Sequence, residues 1–152
     1  MNNAVATPQT IAGRDSSSNI TPSNLSKLSI LVVDDEQAMR LLTKSMMENL
    51  GYYTESAASG EEAVTMYRDA MRSNQPFSLV VMDLALPGGM SGIEATSTIK
   101  QIDPRARIVV SSGYLELNAR KAALEHGFAG ILPKPYTMDQ LTAELRWVMK
   151  NS

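Results

Sequence analysis

The sequence contains no cysteine, a single histidine and only one Trp, two Phe and five Tyr among its 152 residues. Without cysteine there is no disulfide framework, no zinc–thiolate centre and no thiol nucleophile. One histidine excludes a metal site built from several. Neither charge dominates: 14 Lys and Arg oppose 16 Asp and Glu, a formal net charge of −2. No basic footprint for nucleic acid is therefore present. Long apolar runs are also missing. Ile30-Leu31-Val32-Val33 is far too short to span a bilayer, and the first 27 residues lack a basic segment followed by an apolar core, so no signal peptide is read there. These absences predict a soluble, cytoplasmic chain without membrane or nucleic-acid partners. The remaining composition, 43% apolar and 20% charged, is that of one globular domain. A domain of this length buries roughly two-thirds of its unfolded surface, enough for a real core.

The chain divides near Leu28. Residues 1–27 hold 12 Ser, Thr or Asn and three charges, Arg14, Asp15 and Lys27, with no helical or strand period. They read as a flexible tail, and residues 28–152 as the domain. From Leu28 onward β-rich runs alternate with amphipathic stretches. The predicted strands are Leu28–Val33, Tyr52–Ala57, Phe77–Met82, Arg107–Ser111 and Gly130–Leu132. Runs such as Leu79-Val80-Val81-Met82 are apolar without alternation, as in strands covered on both faces. Helical spacing appears in Leu42/Met46/Leu50, Ala63/Met66/Tyr67/Ala70 and Leu141/Leu145/Val148, the last set on a helix over Met138–Lys150. Ser59-x-x-Glu62, Ser91-x-x-Glu94 and Thr137-x-x-Gln140 have the form of capping boxes at helix starts. Five β–α units in sequence predict an α/β fold, a doubly wound five-stranded parallel sheet with helices on both faces. Such sheets bind ligands beyond the carboxyl ends of their strands.

At those ends stand Asp34-Asp35-Glu36, then Asp83, then Ser111-Ser112-Gly113, then Pro133-Lys134-Pro135. Each alone has a plain structural reading. Asp34 and Asp35 suit a helix N-terminus, Asp83 and Ser112 suit turns, and Lys134 suits a solvated surface. Together they say more. Carboxylates gathered within a few ångströms repel unless a cation neutralises them, and hard oxygen donors suit Mg2+. A metal, an ammonium and a nucleophilic carboxylate are what a transferring phosphoryl group requires.

These residues carry a resemblance. The chain from Leu28 to about Lys150 resembles the receiver domains of two-component signalling, the CheY-like, flavodoxin-like fold. Five motifs fall in order: Val32-Val33-Asp34-Asp35-Glu36; Val81-Met82-Asp83 with Leu86-Pro87-Gly88; Gly92-Ile93-Glu94; Val110-Ser111-Ser112-Gly113; and Lys134-Pro135-Tyr136. The resemblance implies that Asp83 is the phosphoacceptor. It implies that Asp34 and Asp35 hold Mg2+, Asp35 directly and Asp34 through water, with the Ala85 backbone carbonyl and Asp83 completing the protein ligands. Lys134 corresponds to the lysine that pairs with a phosphate oxygen, and its bond to Pro135 is expected to be cis. Ser112 is preferred to Ser111 as the switch hydroxyl, because 22 positions separate it from Lys134. The implied donor is a histidine kinase or histidine phosphotransfer protein. The implied output is a contact with a downstream protein, or a homodimer, through the fourth and fifth helices and the fifth strand. The domain would promote its own phosphorylation and dephosphorylation without turning over an external substrate.

Two departures from the family pattern stand out. Ile131 occupies the position of a frequent Tyr or Phe, and the Pro87–Gly92 loop is one residue longer than usual, its extra glycine predicting pliability. The long loop and Ser-Ser-Gly-Tyr resemble receivers attached to hybrid sensor kinases. Tyr114 and Ala85 take the positions that flank the attacking water, and predict slow autodephosphorylation.

Other residues read as ordinary structure. His126 precedes Gly127 at a helix C-terminus. Met46, Met66 and Met149 read as core filling, and Arg40, Lys44, Arg68 and Arg72 as solvated helix faces. Trp147 falls off the Leu141/Leu145/Val148 stripe, beside Ala143 and Lys150, either at the core edge or on a partner-facing surface. Two rivals differ in class. A metal-dependent phosphatase or phosphotransferase would need an Asp-x-Asp run after the first strand, which is absent, and a silent protein-binding receiver would not need all five site residues.

Overall fold

The computed structural model describes residues 28–113 and 119–151. The tail assigned to residues 1–27, and Tyr114, lie outside the described residues. Among these residues five strands and five helices alternate: β1 Ser29–Val33, α1 Gln37–Asn49, β2 Tyr53–Ala57, α2 Gly60–Arg72, β3 Leu79–Asp83, α3 Gly92–Ile102, β4 Ile108–Ser112, α4 Ala119–Glu125, β5 Gly130–Pro133 and α5 Met138–Asn151. All neighbouring strands pair in parallel, in the order β2-β1-β3-β4-β5. The predicted strands are present, displaced by one or two residues; Phe77, for example, is buried but precedes β3.

The central strands explain the unalternating apolar runs. Every residue of β3 and β4 is buried, as required when helices cover both faces. Odd and even positions feed two separate cores. Val80, Met82, Ile108 and Val110 pack with Ala63, Val64 and Tyr67 of α2, Ala95 and Ile99 of α3, and Ala123 of α4. Ile30, Val32, Leu79, Val81 and Val109 pack with Met46 and Met47 of α1 and with Leu141, Leu145 and Val148 of α5.

Helix starts follow the local chemistry. Ser91 with Glu94, and Thr137 with Gln140, form complete reciprocal boxes. At α2 the Ser59 hydroxyl caps the Glu62 N–H at 3.1 Å, but the Glu62 carboxylate takes the Ala58 N–H instead of that of Ser59.

The spaced set on α1 is met in two of its three residues. On α1 the buried residues are Thr43, Met46 and Met47, whereas Leu41 and Leu42 are 51% and 53% exposed. Of the spaced residues Leu42, Met46 and Leu50, Met46 is buried and Leu50 packs on the core, while only Leu42 faces outward; Thr43 turns inward, its hydroxyl hydrogen-bonded to that of Tyr136. Arg40 also departs from a solvated face: its guanidinium donates to the Asp34 carbonyl at 2.9 Å.

Candidate functional site

The strand order reverses between β1 and β3, and the site lies at their carboxyl ends, where such sheets open a crevice. Asp34 directly follows β1, Asp83 ends β3, and Lys134 directly follows β5. Alternation along each strand puts all three in phase with the core residues facing α1 and α5.

Lys134 Nζ lies 2.8 Å from Asp34 Oδ2 and 3.2 Å from Asp83 Oδ2. Both carboxylates are buried, Asp34 to 4% and Asp83 to 3% exposure, while Asp35 is exposed. Their other oxygens are engaged locally. Asp34 Oδ1 accepts the Glu36 N–H and Asp83 Oδ1 the Ala85 N–H, each at 2.9 Å. Carboxylate oxygens of Asp34, Asp35 and Asp83 lie within 4.8 Å of one another. Such a donor set, all hard oxygen and buried on one side, fits a divalent cation of the Mg2+ type.

The electrostatics follow from one ammonium serving two buried acids. Burial pushes the Asp83 carboxyl above its usual range, against the opposing pull of the Ala85 N–H and Lys134, and the Asp34 charge adds to the rise. Burial also works against the Lys134 charge, but the hydrogen bonds and charges of Asp34 and Asp83 outweigh it and hold the ammonium above its usual value.

Backbone contacts lock the geometry. The Lys134 N–H donates to the Ser112 carbonyl at 2.9 Å, and the Leu84 N–H to the Ser111 carbonyl at 3.1 Å. The Lys134–Pro135 bond is cis, as expected. Gly92 is required at the start of α3, because a Cβ there would strike the Asp83 carbonyl and come within 2.9 Å of Leu84 Cα. The long loop is not free of tethers: after a Gly88–Gly89 turn with positive φ, the Met90 N–H donates to Glu61 at 2.8 Å.

Ser112 ends β4, buried, in register with Pro133 and in phase with the opposite core, as is the half-buried Ile131. Among the described residues the buried Ser111 hydroxyl has no hydrogen-bond partner. His126 stands between α4 and Gly127, whose φ is +90°. Trp147 is half-buried at the core edge, with the Arg120 guanidinium 4.4 Å from its ring centre. Glu144, not evident from the sequence, is 8% exposed and accepts from Arg120 at 2.6 and 3.1 Å and from the Ile131 N–H at 2.8 Å. A carboxylate on an amphipathic helix reads as solvent-facing. The one local signal is Gly130, where a Cβ would collide with Glu144 and stand 2.7 Å from Val148.

This topology and this acidic cluster define a CheY-like receiver fold. A family profile described as "Response regulator receiver domain" matches residues 30–146. The chain is 36% identical over 107 residues to the chemotaxis protein CheY of Halobacterium salinarum, covering 70% of this chain and 84% of that protein. It is 33% identical over 112 residues to sporulation initiation phosphotransferase F of Bacillus subtilis, covering 74% and 86% respectively. A CheX–CheY–BeF3–Mg2+ complex from Borrelia burgdorferi contains a chain superposing with a TM-score of 0.70 at 27% identity, over 81% of this chain and 87% of that one. The protein belongs to the response-regulator receiver family of two-component signalling. Among the described residues no helix is long and apolar enough to cross a membrane.

Proposed function

We propose that the chain is a phosphoryl-accepting switch in the cytoplasm, with Asp83 as the acceptor. The observation that carries this reading is Lys134 held between Asp34 and Asp83 beside a third carboxylate at the switch point of the sheet. A histidine kinase or histidine phosphotransfer protein supplies phosphohistidine. An Asp83 carboxylate oxygen forms the new P–O bond as the P–N bond breaks; the histidine nitrogen keeps the electron pair and is reprotonated from solvent. Asp34, Asp35, Asp83 and the Ala85 carbonyl would hold Mg2+, which supplies positive charge to the phosphoryl oxygens. Lys134 supplies the second positive charge. Ser112, at the end of β4, acts as the switch hydroxyl and couples the acceptor to the surface of α4, β5 and α5. A downstream protein or a second copy of the chain reads that surface. The Mg2+ and BeF3 in the Borrelia complex support this assignment by analogy.

The test is incubation with acetyl phosphate and Mg2+, followed by intact mass and peptide mapping. The expected result is one phosphoryl adduct on Asp83 that needs Mg2+ and is absent in Asp83→Asn. An adduct elsewhere, or none from either acetyl phosphate or a panel of phosphohistidine donors, overturns the reading.

A further inference from the structure

Tyr136 lies two residues beyond Lys134, in the segment that joins β5 to α5. Its ring packs on the core between α1 and α5, and its hydroxyl is hydrogen-bonded to the Thr43 hydroxyl of α1. Thr43 is 1% exposed. The same helix is fastened to the acidic end of β1 one turn earlier, where Arg40 binds the Asp34 carbonyl. α1 therefore touches both halves of the ion-pair network, the acids through Arg40 and the lysine segment through Thr43.

Two polar groups facing each other in a core are not needed to hold a helix down. A Val–Phe pair of nearly the same shape packs as well, and replacing both partners of a buried hydrogen bond by apolar groups is close to neutral. What a hydroxyl pair adds is direction: it fixes the rotation of the Tyr136 ring and, through two backbone residues, the segment that carries Lys134. Direction matters there because the lysine stem has four rotatable bonds and must keep one ammonium within 2.8 and 3.2 Å of two different carboxylates. We propose that the Tyr136 hydroxyl, through its hydrogen bond to Thr43, is a positioning group for Lys134. It holds the segment after β5 against α1 so that the ammonium meets both Asp34 and a phosphoryl group arriving on Asp83. The proposal rests on the phosphoryl-transfer reading above.

The experiment compares full-length wild type, Tyr136→Phe, Thr43→Val and the double variant, each retaining its ring or branched shape. With acetyl phosphate and saturating Mg2+, each single variant is expected to lower the rate constant of adduct formation about 3- to 10-fold, since small misplacements of a charge-stabilising group are costly. The double variant should be no slower than the slower single one. Tyr136→Phe should have no further effect in a Lys134→Ala background. The Mg2+ half-saturation point should stay within about twofold, because Lys134 is not a metal ligand. A wild-type rate in Tyr136→Phe, additive effects in the double variant, or a Mg2+ shift parallel to the rate would each overturn the proposal; the last marks general loosening. Failure of the wild type itself to accept a phosphoryl group would overturn the functional reading instead. Positioning is then judged on the metal-free protein by the NMR signal of the Lys134 ammonium, sharp in wild type and exchange-broadened in Tyr136→Phe. Identical signals in the two proteins would refute it.

Discussion

Glu144 is the residue whose removal the structure prices most clearly. Its side chain is 10% exposed and bridges three elements: Arg120 of α4, Ile131 of β5 and its own helix α5. Glu144→Ala removes a two-point ion pair and leaves the Ile131 N–H without its acceptor. The Arg120 side chain is 41% exposed, so the pair is worth far less than a fully buried one, about 1 kcal/mol. An orphaned amide costs about 1–3 kcal/mol, and the lower half applies because Ile131 is only half-buried. The expected loss is therefore about 2–3 kcal/mol. Glu144→Gln keeps the volume and an acceptor for the amide, and should lose only about 1 kcal/mol from the missing charge. Gly130→Ala pushes a methyl group into the same carboxylate and into Val148; its cost should shrink in the Glu144→Ala background, where half of that collision is gone. Urea unfolding at neutral pH, with unchanged m-values, measures all four. Glu144→Ala within about 0.5 kcal/mol of wild type, or Gln as damaging as Ala, would refute this account of the knot.

Trp147→Ala, which strips the ring under Arg120, is expected to leave Asp83 phosphorylation intact while weakening self-association or capture of the phosphoprotein's partner; normal association with a loss above about 3 kcal/mol would make the ring purely core. Mg2+ at ten times its dissociation constant should stabilise the fold by about 1.4 kcal/mol, visible as a rise in Tm of a few degrees; no shift would remove the metal from the acidic cluster. For Asp83, a carboxyl raised by burial binds its proton more tightly folded than unfolded, so its ionisation erodes stability as pH climbs from its ordinary value of 3.8. In metal-free buffer Asp83→Asn should gain on wild type as pH rises above that ordinary value, and a flat difference would contradict the burial argument. Lys134 has the opposite sign: its ion pairs are fully present below its ordinary value of 10.5 and are lost as pH rises through its elevated folded value. Lys134→Met should therefore flatten the alkaline limb of the stability profile, and an unaltered limb would count against the pairing.

Much of this architecture is written locally. The unalternating apolar runs of β3 and β4, the Ser91 and Thr137 caps, and the acids at the ends of β1 and β3 are patterns within a few residues of one another, so the sequence exposes them. The order of the strand-end residues was enough to gather Asp34, Asp83 and Lys134 at one edge. What escaped has partners far away in the chain. Thr43 turns inward because of a hydroxyl 93 positions later, and Glu144 is buried because of an arginine 24 positions earlier. On α1 the spacing of Leu42, Met46 and Leu50 placed Met46 and Leu50 on the core but not Leu42, which is exposed while the neighbouring Thr43 is buried. No window of ten residues contains that information. The expectation for the water path at Tyr114 falls on a residue outside those described, and the Ala85 half of it has only the methyl side chain that the sequence already specified.

The charge arithmetic of the site explains why a lysine suits position 134. Three ionised carboxylates and one ammonium leave a local charge of −2, which a divalent cation would cancel. Converting the Asp83 carboxylate to an acyl phosphate replaces one negative charge by about two, placed farther from the strand end. On the proposed reading the ammonium then has reason to exchange its contact with Asp83 for the phosphoryl oxygens while keeping Asp34. A compact point charge with rotatable donors can make that transfer without moving its backbone. The planar fork of an arginine would favour two-point pairing with one carboxylate and resist it. Because the Lys134 N–H is bonded to the Ser112 carbonyl at 2.9 Å, the backbone of β5 stays fastened to β4 while the ammonium moves. On that reading the acceptor chemistry and the α4–β5–α5 surface would be joined through a fixed strand pair, with the ammonium moving at its end.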